Sequence, residues 1–230
     1  YKRQKKTNVI DYTIIKSLLS SNGDPNRSAK GCDTSTRLTK AQIQTIKNAG
    51  YEYVGRYLSN TPGGTLDKAL TKTEVKNILN AGLKLFAIFQ ETGSSAKNFT
   101  SSTGKTNGQK AYDAANELDI IHGSTIYFAV DFDPTDSVIK SNIIPYFESI
   151  LSSYAARKYK IGVYGTRNVC HKLRNQLGIN KFFVSDASYG FSGNLGYIMP
   201  DGWCFDQFKT DITIGSDDGK VSIDKVAVSN

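Results

Sequence analysis

The sequence predicts an α/β protein, a (β/α)8 TIM-like barrel with irregularity near its last strands, and three observations carry that prediction. Eight strand-like segments follow one another from Gly31 onward, and most are separated by a helix-like segment with short connections. Acidic residues recur at the C-terminal ends of those strands, which in a barrel share one rim. The length of 230 residues suits one such domain, since α/β barrels routinely take about 200 to 250. A doubly wound open sheet is the alternative arrangement of the same elements.

Residues 1–30 read as an N-terminal extension or linker. It has a basic start at Lys2, Arg3, Lys5 and Lys6, a short amphipathic helix around Val9, Ile10, Ile14, Ile15, Leu18 and Leu19, and a polar turn over 20–26. The barrel domain is expected over 31–230. Its first strand is Gly31–Asp33. Thr39 and Gln42 form a capping box for a helix that closes at Gly50. Residues 51–57 form the second strand, and Thr71 with Glu74 opens a helix ending at Gly82. Residues 83–91 are a third strand with a polar, acidic tip, followed by a helix over 108–121. After the fourth strand come a helix over 137–157, a strand over 159–165, a helix over 166–177 and a strand over 182–186. The Gly-rich segment 190–196 is expected to lie over the barrel mouth, and strands over 203–208 and 221–224 close the sheet without a clear helix between them.

The fourth strand, 125–134, combines core and chemistry. Its β-branched and aromatic residues from Thr125 to Val130 suit a strand covered on both faces. Asp131 and Asp133 then stand two apart and so point to the same side of the pleat, and Pro134 ends the ladder. Two carboxylates crowded in a partly dry setting raise the pKa of at least one, as general acid/base work requires.

Composition narrows the function classes. The net charge of +8 is scattered apart from the N-terminal cluster, which argues against nucleic acid as a partner. No apolar run approaches the roughly 20 residues that span a bilayer. Cys32, Cys170 and Cys204 lack metal-ligand spacing and read as small buried hydrophobes. His122 and His171 fall in or beside helices, so a Ser-His-Asp site is not expected. Because the chain starts with Tyr, it is expected to be cut from a longer protein whose targeting segment lies elsewhere.

What remains is a ring of carboxylates: Asp33, Glu91, Asp131, Asp133, Asp186, Asp206 and Asp224. Such a ring suits glycoside hydrolysis, in which one protonated carboxyl serves the leaving oxygen and an ionised one attacks or activates water. A hard-cation site is the competing use, but Asp131-Phe132-Asp133 lacks the Gly-turned loop of such sites, so no metal and no cofactor are expected. Loop capping or pairing with Arg56 accounts for some of these acids, Asp186 and Asp206 first among them. Tyr57, Tyr127, Tyr164, Tyr189, Trp203 and Phe208 gather at the same strand ends and offer faces for sugar rings. Arg56 is a candidate to hold an acidic substrate group, and Gln90 and Gln207 to bind sugar hydroxyls.

Five segments, taken in order, resemble the bacterial glycoside-hydrolase-like TIM-barrel family related to family 25 lysozymes: Gly-Cys-Asp-Thr-Ser at 31–35, Val-Gly-Arg-Tyr-Leu at 54–58, 126–133, Gly-Val-Tyr-Gly at 162–165 and Phe-Asp-Gln-Phe at 205–208. The resemblance implies a muramidase-like site in which Asp33, Asp131 and Asp224 match acidic positions, and Asp133 stands where those lysozymes carry a proton-donating Glu. Asp is one methylene shorter, so three options stay open: Asp133 is the donor, Glu91 is, or the domain binds glycan without cutting it. The resemblance implies peptidoglycan or another glycan polymer as partner, a monomer, and a place outside the cell or in its wall.

Overall fold

The computed structural model describes Ile15 and residues 19–229. The basic cluster at residues 2–6 and nearly all of the expected N-terminal helix lie outside the described residues.

Eight strands close a barrel in chain order: β1 (Gly31–Asp33), β2 (Tyr53–Tyr57), β3 (Lys84–Phe89), β4 (Thr125–Ala129), β5 (Lys160–Gly165), β6 (Phe182–Val184), β7 (Trp203–Ile214) and β8 (Val221–Val228). β1 through β7 are parallel neighbours. β8 runs antiparallel to both β7 and β1. The parallel order expected from alternating elements holds from β1 through β7 and stops at β8. The link between β7 and β8 holds one short 3-10 turn, Asp217–Gly219, and a link that short makes a hairpin, because a parallel return needs a crossover of a dozen or more residues. The irregularity expected at the last strands is this hairpin.

Among the described residues, six α-helices of five or more residues cover the barrel: α1 (Lys40–Asn48), α2 (Lys72–Asn80), α3 (Ser101–Glu117), α4 (Ile144–Leu151), α5 (Tyr154–Lys158) and α6 (Arg167–Leu177). Thr39 and Gln42 form the expected capping box, and the Thr71 hydroxyl accepts from the Glu74 N–H. α3 begins earlier than periodicity suggested because Thr100 and Thr103 cap it, and Gly104 lies inside it. A Cβ on Gly104 would stand 2.2 Å from the Tyr146 carbonyl oxygen, so that glycine permits close helix packing instead of breaking the helix. The single helix expected over 137–157 is divided: a π-helical turn, Ile139–Ile143, precedes α4, and the chain breaks again before α5.

The core has two layers. One lies between strands and helices; the other fills the barrel with Phe86, Ile88, Tyr127, Phe183, Phe205 and Val226. Phe86 stacks on Phe205 at 4.0 Å between ring centroids, and Gly55 makes room, since a Cβ there would meet the Phe86 ring at 2.4 Å. Inward positions alternate along each strand, and polar residues take over one step higher. Phe86 and Ile88 on β3 give way to Gln90, Phe205 on β7 to Gln207, and Val226 on β8 to Asp224. The aromatic plug thus floors a polar mouth.

Outside the barrel, the buried residues Ser20, Ser21 and Asn22 belong to a strap that runs along β6 and β7. The Ser21 hydroxyl donates to the Asp186 carbonyl, and Arg27 lies over the Phe208 ring, 3.6 Å from its centroid.

Candidate active site

A cavity of about 210 Å³ opens at the C-terminal ends of the parallel strands, walled by Asp33, Asp131, Asp224, Gln90, Gln207 and Tyr164, with Tyr57, Ser188 and Thr210 at its edges. Three acids from distant parts of the chain therefore meet. Asp33 ends β1, and Asp131 lies two residues beyond β4. Asp224 sits in mid β8, opposite Asp33 in register. Its place at the rim does not come from ending a strand, as the sequence suggested; antiparallel β8 descends past the rim and leaves Asp224 level with Asp33.

The Gln207 amide ties two of these acids together. Its Nε2 donates to Asp33 Oδ2 at 2.9 Å and to Asp224 Oδ2 at 3.0 Å, while Tyr164 Oη donates to its Oε1 at 2.9 Å. Both amide protons and one lone pair are thus committed, which fixes the amide's orientation. Above them β7 is irregular, and Asp211 adopts a left-handed φ of 59°. Its N–H donates to Asp224 Oδ1 at 2.9 Å, a use of bulged backbone common beside active sites. Gln90 Nε2 donates to Asp131 Oδ2 at 3.0 Å.

Electrostatics separate the acids. Asp33 is 1% exposed, and burial followed by the nearby Asp224 charge pushes its carboxyl well above the usual range, against the opposing Gln207 hydrogen bond. Asp224 is pushed up to about 6, chiefly by burial, although the Asp211 N–H favours its charged form. Burial also raises the Tyr57 and Tyr164 hydroxyls, which stay neutral donors. No Lys or Arg among the described residues forms an ion pair with Asp33, Asp131 or Asp224. Nor is any group of three or more His, Cys, Asp or Glu among them arranged to hold a metal ion.

The other expected site residues lie elsewhere. Asp133 does not share a face with Asp131, because β4 ends at Ala129 and strand alternation no longer governs the chain beyond it. Its Oδ2 accepts from the Ser192 N–H and hydroxyl at 2.6 and 2.7 Å, and its Oδ1 from the Gly193 N–H at 2.8 Å, so it clasps the Gly-rich loop. Glu91 faces a neighbouring cavity and pairs with Lys110 at 2.7 Å. Arg56 points outward from β2 and is fully buried; Glu74 at 2.7 Å and the carbonyls of Thr34 and Lys68 occupy its guanidinium. Asp186 and Asp206 are held by Arg167 and Arg27, not by Arg56. Tyr127 is in the plug below the mouth, and Trp203 packs against the outer core. Gln90 and Gln207, expected to bind sugar hydroxyls, line the mouth and donate to its carboxylates.

Sequence reasoning missed Lys68. It lies in the long β2–α2 loop, where neither periodicity nor a motif marks it, and it reaches a cavity beside the mouth, next to an isolated bridge that pairs Ala69 with Tyr57. A larger cavity of about 290 Å³ opens around Leu85, Tyr127 and Phe205, and Asp119 is its sole acid.

A closed barrel whose rim gathers carboxylates above an aromatic floor defines a glycoside-hydrolase-like domain. The chain belongs to the Rv2525c-like, glycoside hydrolase-like domain family, whose model matches residues 44–228. It is 46% identical over 231 residues to the uncharacterized protein YbfG of Bacillus subtilis (strain 168), an alignment covering 96% of this chain and 31% of that protein. The chain spans less than two fifths of the length of the curated relatives it matches, at 31% and 39%. Among solved structures it is similar to the Tat-secreted protein Rv2525c of Mycobacterium tuberculosis, with a TM-score of 0.73 and 21% identity over 88% of this chain and 96% of that one. It is also similar to the bacterial lysozyme of Streptomyces coelicolor, with a TM-score of 0.55 and 14% identity over 89% and 94% of the two chains. Family 25 glycosyl hydrolases are among its structural neighbours, a likeness of fold.

Proposed function

We propose that this domain hydrolyses a glycosidic bond of bacterial peptidoglycan at the barrel mouth, outside the cell. The observation that carries the reading is the meeting of Asp33, Asp131 and Asp224 in one cavity with no cation paired to them among the described residues. Asp33 and Asp224, buried together and bridged by Gln207, are both raised toward the protonated form and act as the acid by sharing a proton. Asp131, oriented by Gln90, serves as the carboxylate that attacks C1 or activates water. The proton passes to the leaving glycosidic oxygen as the C1–O bond breaks, and water supplies the new anomeric hydroxyl. Glu91 remains an alternative acid only through a displacement from Lys110. The cavity is smaller than the roughly 300 to 1,000 Å³ of a drug-sized site, so it takes one sugar of a chain that continues over the rim. Export is supported by the secretion of Rv2525c, and wall glycan by the lysozyme-like neighbours.

A second reading, a glycan-binding module without catalysis, is favoured by Asp133, whose two oxygens are already taken by the loop. Incubating the domain with purified walls and analysing soluble products by mass spectrometry separates the two. Hydrolysis yields muropeptides with new reducing ends. Sedimentation with walls and no release between about pH 4 and pH 8 establishes the binding module, and neither outcome ends the glycan reading.

A further inference from the structure

Beside the mouth lies a second cavity of about 440 Å³, which shares Gln90 with the first and is lined also by Lys68, Glu91, Thr92, Ser94 and Lys97. The two are joined by backbone, since the Asp131 N–H donates to the Gly93 carbonyl at 2.8 Å. Lys68 is unusual here. The residue is 7% exposed, yet no hydrogen bond or ion pair of its ammonium occurs among the described residues; the group rests over the Tyr57 ring, 4.5 Å from its centroid. Glu91, the nearby acid of this cavity, is already neutralised by Lys110 at 2.7 Å. Burial of the ammonium disfavours its charge, and the Asp131 and Glu91 carboxylates favour that charge only from a distance, so no direct partner among the described residues offsets the burial and the aromatic face supplies only part of it. The backbone of Lys68 explains its position but not its charge: its N–H donates to Asn60 Oδ1 and its carbonyl accepts from Arg56.

We propose that this cavity is an anionic subsite, in which Lys68 receives a carboxylate carried by the glycan on the sugar next to the scissile bond. The inference rests on the glycan reading above and deepens it by naming the substrate class as an acidic glycan. Two sources carry such a group: the lactyl ether of a muramic acid that bears no stem peptide, and the C6 carboxyl of a uronic acid.

The test has two arms. In the first, sodium lactate is titrated against sodium chloride at matched ionic strength while the amide signals of residues 92–95 are followed by NMR. Saturable shifts are expected in the parent and in Lys68→Arg and are lost in Lys68→Met, which keeps the aliphatic stem and the backbone contacts. In the second, Asp131→Asn protein, used to prevent turnover, is titrated with a peptide-free wall tetrasaccharide containing muramic acid, the neutral chitin tetramer and an oligogalacturonate. The acidic ligand should bind about ten-fold more tightly than the neutral one, the worth of one charge-assisted hydrogen bond, and Lys68→Met should erase the difference while leaving chitin binding unchanged. Preference for the muramyl ligand assigns the lactyl group, and preference for galacturonate assigns the uronate. Equal affinity for acidic and neutral oligomers, or lactate shifts unchanged in Lys68→Met, overturns the subsite. Lactate shifts without affinity for any of the three glycans refute the glycan reading and the sugar-borne carboxylate together, while leaving an anion site at Lys68.

Discussion

Two acidic pairs lie within a few residues of the same strand ends and serve different ends. At the mouth, Asp33 and Asp224 share an amide, Gln207, and face a cavity. On the flank, Asp186 and Asp206 face outward, are buried, and are held by the guanidinium groups of Arg167 and Arg27. Burial is the leading cause of raised carboxyl pKa values in both pairs, and in the flank the two acids also act on each other while the arginines oppose the rise. A raised carboxylate is therefore not the mark of a catalytic one. What differs is access and partner: an amide leaves an acid free to exchange its proton with a ligand, whereas a guanidinium in a sealed wall fastens structure, here the N-terminal strap. Adjacent residues of β7 show the division most plainly, because Asp206 and Gln207 point to opposite sides of the pleat.

The comparison can be broken or sharpened by substitution. The largest effect is expected at the mouth, where Asp131→Asn should lower hydrolysis by about 10²- to 10⁴-fold in a protein with an unchanged circular dichroism spectrum. Next is the sealed wall: Glu74→Ala leaves the Arg56 charge buried and unpaired and should cost about 3 to 5 kcal/mol, read from the denaturant midpoint. Arg27→Ala should cost about 1 to 3 kcal/mol and loosen the strap, seen as faster amide exchange over residues 20–27, with turnover per folded molecule unchanged.

Asp33→Asn should act in the opposite direction on stability. Because burial lifts the folded-state pKa above that of the unfolded chain, the folded form holds the extra proton, and stability falls as pH rises from about 4 upward through the raised value. Removing the group should therefore stabilise the protein at pH 8 while abolishing the acid, and the gain should vanish near pH 4 when melting temperatures are compared. The smallest effect on turnover is expected from Asp133→Ala, which frees residues 190–196 and should reduce hydrolysis less than about ten-fold, a loop effect and not a missing donor. A loss equal to that of Asp131→Asn would restore Asp133 to the chemistry.

Much of the fold was legible because strands and helices alternate and because Thr39, Thr71 and the glycines mark their ends. The absent helix between the last two strands marks where the regular order stops, but not the direction of β8. Asp224 reaches the rim from mid β8, whereas Asp33 and Asp131 were recognisable as acids at or just past strand ends. The orientation of side chains past a strand end was not, which is why Asp131 and Asp133 part company and why Arg56 turns to Glu74. Lys68 was invisible because it lies in a loop without periodicity, next to one isolated bridge.

Release of reducing ends from purified walls, measured side by side for the parent protein, Asp131→Asn and Asp206→Asn at several pH values, tests the division most directly. The account predicts release by the parent with a fall above the pH where the mouth pair gives up its shared proton, near-complete loss in Asp131→Asn, and retention in Asp206→Asn. No release by the parent at any pH, or equal rates in the parent and Asp131→Asn, would contradict it.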